Sequence, residues 1–133
     1  MNRKAKGTQG ERKLVNAFNL ANWGAIRVAG SGSTKWPAPD LLVGNGKRQF
    51  AIECKMTSRN TKYFPKEEIK QLRLFAKNFG ATPIIAVKFE KYDWLFVHIS
   101  TLEKTPKSYV LTLQNAYNNG LTIHKFINNA HKV

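Results

Sequence analysis

The chain has 133 residues, with 22 lysines and arginines against 8 aspartates and glutamates, which gives a formal net charge of +14. Its 42% hydrophobic and 11% aromatic content is enough for a packed core, so the composition excludes a disordered chain. A single cysteine excludes a disulfide framework and a multi-cysteine zinc module, and no apolar run approaches the ~20 residues of a membrane helix. No apolar segment follows the basic N-terminus as a signal peptide requires, so we expect a soluble, cytoplasmic protein.

The excess of positive charge indicates a polyanionic partner. Clustered lysines and arginines displace counterions from nucleic acid and bind its phosphates. An anionic membrane surface is the rival partner, but it predicts a basic amphipathic helix, and the basic residues here are spread along the whole chain. Composition therefore favours nucleic acid and no membrane association.

The N-terminal third is predicted to contain one long helix, one short strand and a loop. Residues 1–7 are basic, and we expect them to form a mobile arm. From Thr8 the apolar residues recur at helical spacing, and Gly24 lies just past the end of the predicted helix. Residues 25–29 are typical of a short strand, and the Gly, Ser and Pro content of residues 30–39 predicts a mobile loop.

A β-hairpin is predicted next. Residues 40–43 form an apolar strand, the Gly-Asn-Gly turn at residues 44–46 tolerates positive φ, and residues 48–56 alternate with period two. In that second strand Glu53 and Lys55 share one face. The hairpin therefore directs an acid and a base to the same side of the sheet.

The rest of the chain extends this sheet. Helical spacing predicts a second long helix over residues 66–79, followed by strands over residues 84–89 and 94–99. After Pro106, residues 109–113 alternate like a strand and residues 121–130 are consistent with a short helix. The order predicts a single α/β domain with a central mixed sheet of about five strands flanked by helices.

The residues that indicate chemistry are Pro39 and Asp40 at the start of one strand and Glu53, Cys54 and Lys55 in its partner. Two carboxylates facing each other across a ladder suit Mg²⁺ or Mn²⁺, and the backbone carbonyl of Cys54 can add a third oxygen. A metal held there promotes phosphodiester hydrolysis by acidifying water and stabilising phosphoryl charge. Lys55 is placed to orient that water or to neutralise the transition state.

These residues resemble the PD-(D/E)xK nuclease signature. The segments KGTQGERKL, IRVAGSGS, PDLLVGNGKRQFAIECK and QLRLFAKNFGATPIIAVKF are similar, in this order, to the archaeal-type Holliday junction resolvases. The resemblance implies a restriction-endonuclease-like fold and a homodimeric, Mg²⁺-dependent endonuclease, with Mn²⁺ as a substitute. It also implies recognition of the four-way DNA junction by shape and symmetric nicking of two opposing strands. The tail beyond about residue 105 matches poorly.

The resemblance assigns roles residue by residue. The family's catalytic positions fall on Glu11, Arg27, Ser31, Asp40, Glu53, Lys55 and Gln71. The expected metal ligands are Asp40, Glu53, the Cys54 carbonyl and Glu11. The residues predicted to contact DNA are Arg3, Lys4, Lys6, Arg12, Arg27, Ser31, Lys35 and Trp36. Lys35 and Trp36 are not transferred from the family, because the loop that contains them differs in length among its members.

Several of these residues also fit a purely structural role. Glu11 ends a Thr8-Gln9-Gly10-Glu11 pattern typical of a helix capping box, so the sequence alone leaves both roles open. Glu53 and Lys55 fit an ordinary ion pair on one face of a strand, although unpaired charges in an apolar hairpin are costly. Trp36 suits stacking on an unpaired base or anchoring its own loop.

Other reactive or apolar residues are expected to be structural. The three histidines have no ligand spacing, and Cys54 points away from Glu53, towards the core. Four aromatic residues fit either the core or a subunit interface, namely Phe75, Phe79, Trp94 and Phe96. The interface residues therefore stay open at this point.

Two other functions compete with junction resolution. A restriction-like or repair nuclease uses the same site on duplex ends, flaps or a specific sequence. A non-catalytic basic protein binds junctions and duplexes without cutting them. The favoured function serves recombination and repair near the nucleoid, or viral genome processing in a host cytoplasm, with a sliding clamp or other recombination proteins as further partners.

Overall fold

A five-stranded mixed sheet forms the centre of the fold in the computed structural model, which describes residues 2–30 and 35–133. In chain order the elements are α1 (Arg3–Leu20), β1 (Gly24–Arg27), β2 (Leu41–Gly44), β3 (Gln49–Thr57), β4 (Thr61–Pro65), α2 (Lys66–Phe79), β5 (Thr82–Phe89), β6 (Leu95–His98), β7 (Glu103–Lys104), β8 (Ser108–Thr112), α3 (Leu113–Asn119) and α4 (Ile123–Asn128). The strand order of the central sheet is β1-β2-β3-β5-β6. Among the described strands of this sheet only β3 and β5 pair in parallel, so the mixed α/β sheet of about five strands is confirmed.

The predicted hairpin is confirmed as β2 and β3, with Leu41 opposite Ile52. Its turn is fixed locally, because the Asn45 side chain accepts hydrogen bonds from two following amides, at 2.9 and 2.8 Å. Gly46 has a φ of 89°, a conformation that glycine adopts without the strain of a side chain. Local sequence thus sets the register that brings residue 40 beside residue 53.

The first helix begins earlier than the sequence pattern indicates. Asn2 is its N-cap, with the side-chain oxygen accepting a hydrogen bond from the Ala5 amide at 2.8 Å. Residues 3–7 are helical, so the expected arm is part of α1. The capping-box interpretation of Thr8 and Glu11 is wrong, because both residues lie inside the helix. A good cap at Asn2 is the physical reason for the longer helix.

Two apolar clusters hold the helices on opposite faces of the sheet. On one face, α1 and α4 contribute Phe18 and Phe126, which pack against Phe50 and Phe96. On the other face, α2 packs through Ile69 and its neighbours against the alternate residues of β3 and β5. Phe50, Ile52 and Cys54 of β3 thus face α1, whereas Ala51 packs on the α2 side, the face that Glu53 and Lys55 share with it.

A second, three-stranded sheet in the order β4-β8-β7 was not predicted. It joins the segment before α2 to the C-terminal third, with Phe64 opposite Tyr109. The strand over Ser108–Thr112 and the helix over Ile123–Asn128 agree with the expected tail elements, whereas α3 was missed. No helix in the described part of the chain is long and apolar enough to cross a membrane.

Candidate active site

A pocket of about 500 Å³ contains most of the residues that the sequence pattern singled out. Its lining comes from α1, from the segment before β2, from β3 and from α2. The residues are Glu11, Lys35, Trp36, Ala38, Asp40, Glu53, Cys54, Lys55, Glu68, Gln71 and Leu72. Residues distant in sequence thus meet in one cleft rich in acidic side chains.

Asp40 is held in place by its own backbone and by the neighbouring strand. Its amide donates to the carbonyl of Ile52 at 3.0 Å, and its carbonyl accepts from Val28 at 2.8 Å. The side-chain Oδ2 accepts a hydrogen bond from the Cys54 amide at 2.8 Å. Asp40 therefore extends the β2/β3 ladder and directs its carboxylate into the site.

Glu53 is the most strongly perturbed acid of the site. Burial, the nearby charge of Asp40 and a hydrogen bond with Glu68 raise its pKa to about 10, and the charge of Lys55 offsets part of this rise. Such a group is neutral at pH 7 unless a cation compensates its charge. The cluster thus gains from a bound cation, because a positive charge relieves the repulsion between these carboxylates.

Lys55 is the positively charged residue between the acids of the site. Its ammonium lies 2.6 Å from Glu68 Oε1 and 3.9 Å from Glu53 Oε2. Burial alone lowers the pKa of Lys55, but the hydrogen bond to Glu68 and the charges of Glu68, Glu53 and Asp40 outweigh it and raise that pKa. Lys55 therefore carries a positive charge in this pocket.

Glu68 is a site residue that sequence reasoning missed. It lies in the first turn of α2, one turn before Gln71, so the two residues share a helix face. The spacing to Gln71 was the available signal, but an acid in a first helical turn is ordinarily explained by the helix dipole. Only the packing of α2 on the sheet brings Glu68 to Lys55.

Glu11 and Arg27 form a second charged pair at the edge of the pocket. Arg27 Nε donates to Glu11 Oε1 at 3.1 Å, and Arg27 Nη2 lies 3.4 Å from the Thr8 hydroxyl. Burial and the charge of Asp40 raise the pKa of Glu11, and Arg27 counteracts the rise. The structure thus brings Glu11 to the site, where it contacts the predicted phosphate-binding arginine.

The remaining predicted site residues lie at the pocket wall, along α1 or outside the described part of the chain. Gln71 is exposed at the pocket wall and donates to Glu67 at 3.4 Å. Lys35 lies 5.3 Å from the ring centre of Trp36, a side chain that is 70% exposed. Ser31 lies outside the described residues. The basic residues of α1 are exposed along the helix, namely Arg3, Lys4, Lys6 and Arg12.

The expected structural residues mostly have structural positions. Cys54 packs with the apolar cluster under α1, and burial raises the pKa of its thiol. Phe96 is 2% exposed among core aromatics, so a role for it in a subunit interface is wrong. Trp94 packs beside α1, and one carbon of its ring lies 2.9 Å from the position that a Cβ on Gly10 would take. Phe79 is 54% exposed and stacks on Phe75.

The donor atoms of the site suit a hard divalent cation, although they do not form a complete metal-binding site. Within residues 2–30 and 35–133, no group of three or more His, Cys, Asp and Glu side chains is arranged to hold a metal ion. Asp40 and Glu53 nevertheless offer adjacent carboxylate oxygens, the donors that Mg²⁺ and Mn²⁺ prefer. A cation here would be held by this pair together with water and substrate oxygens.

Comparison with known proteins gives one consistent family. The chain matches the family model described as archaeal Holliday junction resolvase (Hjc) over residues 2–133. It is 40% identical over 120 residues to the crossover junction endodeoxyribonuclease Hjc of Archaeoglobus fulgidus, covering 90% of this chain and 88% of that protein. A crossover junction endodeoxyribonuclease of Sulfolobus islandicus rod-shaped virus 1 is 27% identical over 101 residues, covering 74% of this chain and 84% of the viral protein.

The fold agrees with these matches. The solved structure of Archaeoglobus fulgidus Hjc, a Holliday junction resolvase, superposes with a TM-score of 0.83 at 36% identity, covering 91% of this chain and 99% of that one. The restriction-endonuclease-like fold expected from the sequence is therefore confirmed.

Proposed function

Because the chain belongs to the archaeal Holliday junction resolvase family, we propose that it is an endonuclease that resolves four-way DNA junctions by nicking two opposing strands. The observation that carries this proposal is the convergence of Asp40, Glu53 and Lys55 in one acidic pocket on a strongly basic chain. A general basic DNA-binding protein has no need for a partly buried acid whose pKa is raised to about 10 beside a second carboxylate.

The side chains take distinct roles in this proposal. Asp40 and Glu53 are the residues that would hold a divalent cation, with the Cys54 carbonyl and Glu11 as further ligands of the expected set. A cation held there would supply the acidification of a water and the stabilisation of charge on the phosphoryl oxygens. Lys55 neutralises developing negative charge beside them, because its ammonium lies within the same pocket.

Arg27 is assigned to a phosphate next to the one that is cut. It lies at the edge of the pocket and is oriented by Glu11, so its guanidinium can bind DNA while Glu11 stays close to the metal-binding acids. Gln71 faces the same space from α2. Lys35 and Trp36 line the pocket and are proposed to contact DNA, as are Ser31 and the exposed basic residues of α1.

A divalent metal is part of the proposal, with Mg²⁺ as the cofactor and Mn²⁺ as a substitute. The hard carboxylate oxygens of Asp40 and Glu53 suit either ion. We expect Ca²⁺ to support junction binding without cutting, because its longer bonds and irregular geometry fit the reaction poorly.

A two-fold dimer is the assembly that the proposed reaction requires. Two identical sites related by a two-fold axis match the near two-fold symmetry of a junction, so that paired cuts result. Exposed apolar side chains on α2, Leu74 and Phe79, are available for such a contact. We further propose that the enzyme acts in the cytoplasm at the nucleoid, or in a host cytoplasm, with a sliding clamp or other recombination proteins as further partners.

The decisive experiment is cleavage of a labelled synthetic four-way junction beside a linear duplex of the same sequence, read on a denaturing gel. Wild type is compared with Asp40→Asn in Mg²⁺, Mn²⁺, Ca²⁺ and EDTA. Asp93→Asn is the matched control, since Asp93 is exposed in the turn between β5 and β6. We expect paired cuts in opposing strands that need Mg²⁺ or Mn²⁺, persist in Asp93→Asn and vanish in Asp40→Asn.

The other outcomes identify the rival functions. Cutting of junction and duplex at equal rates indicates a restriction-like or repair nuclease with the same site. Equally tight binding of both DNAs without cutting in any metal refutes the enzymatic function and leaves a non-catalytic nucleic-acid-binding protein. An Asp40→Asn variant that cuts like wild type refutes the assignment of the site.

A further inference from the structure

We propose that Glu68 is a positioning residue that holds the ammonium of Lys55 in the active site. This inference deepens the proposed function and rests on it. Glu68 comes from α2, an element that contributes neither the metal-binding acids nor the lysine. Its side chain lines the pocket from α2, which packs on the face of the sheet opposite α1.

The contact is short, and the Glu68 oxygen that makes it is buried, although the side chains of Lys55 and Glu68 are 28% and 25% exposed as a whole. Lys55 Nζ lies 2.6 Å from Glu68 Oε1, against 3.9 Å from Glu53 Oε2, so Glu68 is the nearer acid. Glu68 Oε1 is buried and has no hydrogen bond of regular geometry in the described part of the chain, so the Lys55 ammonium is the charge that compensates it. A buried carboxylate oxygen without such a charge is costly, and this cost keeps the pair together.

Lys55 gains from an anchor outside its own strand, because the acid of that strand, Glu53, lies 3.9 Å from its ammonium and Glu68 lies 2.6 Å from it. A lysine side chain has four rotatable bonds and loses much entropy when it is fixed in one rotamer. A cation bound by Asp40 and Glu53 would offset their negative charge, so these two acids would attract Lys55 less strongly. Glu68 is not expected to bind the cation, so it continues to hold Lys55 beside the reacting phosphate.

The chain supplies a matched control in the neighbouring residue. Glu67 lies in the same first turn of α2 but is exposed, and its side chain accepts only a 3.4 Å hydrogen bond from Gln71. Glu67→Gln and Glu68→Gln therefore remove the same charge from the same helix terminus. Any difference between these variants reports the contacts of Glu68 with Lys55 and Glu53 and not the helix dipole.

The test measures single-turnover junction cleavage, junction affinity in Ca²⁺ and the Mg²⁺ concentration for half-maximal rate. We expect Glu68→Gln to slow cleavage at least tenfold, towards the ~100-fold cost of a 1 Å misplacement, while Glu67→Gln cuts like wild type. Junction affinity and Mg²⁺ requirement are expected to stay within about twofold of wild type, because neither contact is removed. Glu68→Asp, which keeps the charge on a shorter arm, is expected to recover part of the rate.

A second measurement needs no cleavage. The change in Tm caused by Glu68→Gln is determined in the wild-type and in the Lys55→Met background, with EDTA present. If the two side chains are coupled, the substitution is more favourable in Lys55→Met, where Glu68 has lost its compensating charge. Equal changes in both backgrounds refute the contact.

Each remaining outcome has a defined meaning. A Glu68→Gln rate equal to that of Glu67→Gln overturns the positioning role, and a raised Mg²⁺ requirement overturns it in favour of a metal ligand. If wild type cuts no junction, the proposed function fails and the role in cleavage fails with it, while the Tm comparison still decides whether Glu68 holds Lys55.

Discussion

Replacing Glu53 by glutamine is predicted to stabilise the free protein while abolishing cleavage. Glu53 has a pKa of about 10 in the folded protein against an ordinary value of 4.5. Its folded pKa is the higher one, so the favourable contribution is complete below pH 4.5 and declines as the pH rises towards 10. The acidic site is therefore built at the expense of stability.

The magnitude follows from the difference between the two protonation equilibria. At pH 7 the unfolded chain has an ionised Glu53, and folding must restore the proton, which costs about 1.36 kcal/mol for each pH unit above 4.5. The cost is about 3 kcal/mol at pH 7. The side-chain amide of the Glu53→Gln variant resembles the protonated acid and avoids this cost, so Tm is expected to rise by roughly 10 °C for a domain of this size.

The assay is thermal unfolding of wild type and Glu53→Gln in EDTA at pH 4.5, 7 and 9 and at fixed protein concentration. The gain in Tm should be absent near pH 4.5 and should grow with pH. Glu103→Gln, at an exposed position in β7, serves as the control and should show no such trend. Mg²⁺ is expected to raise the Tm of wild type more than that of Glu53→Gln. An unchanged or lower Tm for Glu53→Gln at pH 7 refutes the electrostatic reasoning.

Three further predictions concern the framework of the site and its affinity for DNA. A Cβ on Gly10 would lie 2.9 Å from the Trp94 ring, so Gly10→Ala is expected to displace α1 and slow junction cleavage about tenfold. A Cβ on Gly7 would meet nothing within 4 Å, so Gly7→Ala should cut like wild type. Equal rates for the two variants would contradict this prediction. Arg48→Met removes hydrogen bonds of 2.6 to 2.7 Å to two C-terminal carbonyls and a threonine hydroxyl, and should lower the free energy of unfolding by about 2 kcal/mol in urea titrations; no change in the midpoint would contradict it. Replacement of Arg3, Lys4 and Lys6 of α1 by Gln should reduce the steepness of the plot of log junction affinity against log salt concentration by up to ~3. An unchanged slope would show that these three residues do not contact phosphate.

Sequence alone was sufficient where neighbouring residues decide the structure. The Gly-Asn-Gly turn and the period-two pattern after it predicted the β2/β3 hairpin, and with it the meeting of Asp40, Glu53 and Lys55. Helical spacing predicted α2 with the observed bounds, Lys66–Phe79. Turn chemistry and periodicity act over a few residues, so they are visible in the chain itself.

The start of α1 shows that a local signal can also mislead. The pattern from Thr8 to Glu11 suits a capping box, but a better cap at Asn2 begins the helix more than a turn earlier. Glu11 consequently has no capping role and pairs with Arg27 from β1. Two signals of the same kind compete, and a sequence pattern does not rank them.

Tertiary structure alone decided the contacts between residues far apart in the chain. Glu68 meets Lys55 only because α2 packs its apolar face on the sheet and brings its first turn to β3. The sheet of β4, β8 and β7 likewise depends on pairing Phe64 with Tyr109, two residues that are distant in sequence. Such pairings are selected by burial of apolar surface over the whole domain, so no short stretch of sequence contains them. The sequence determined which groups are candidates for the chemistry, and the packing of the helices on the sheet determined how those groups are held.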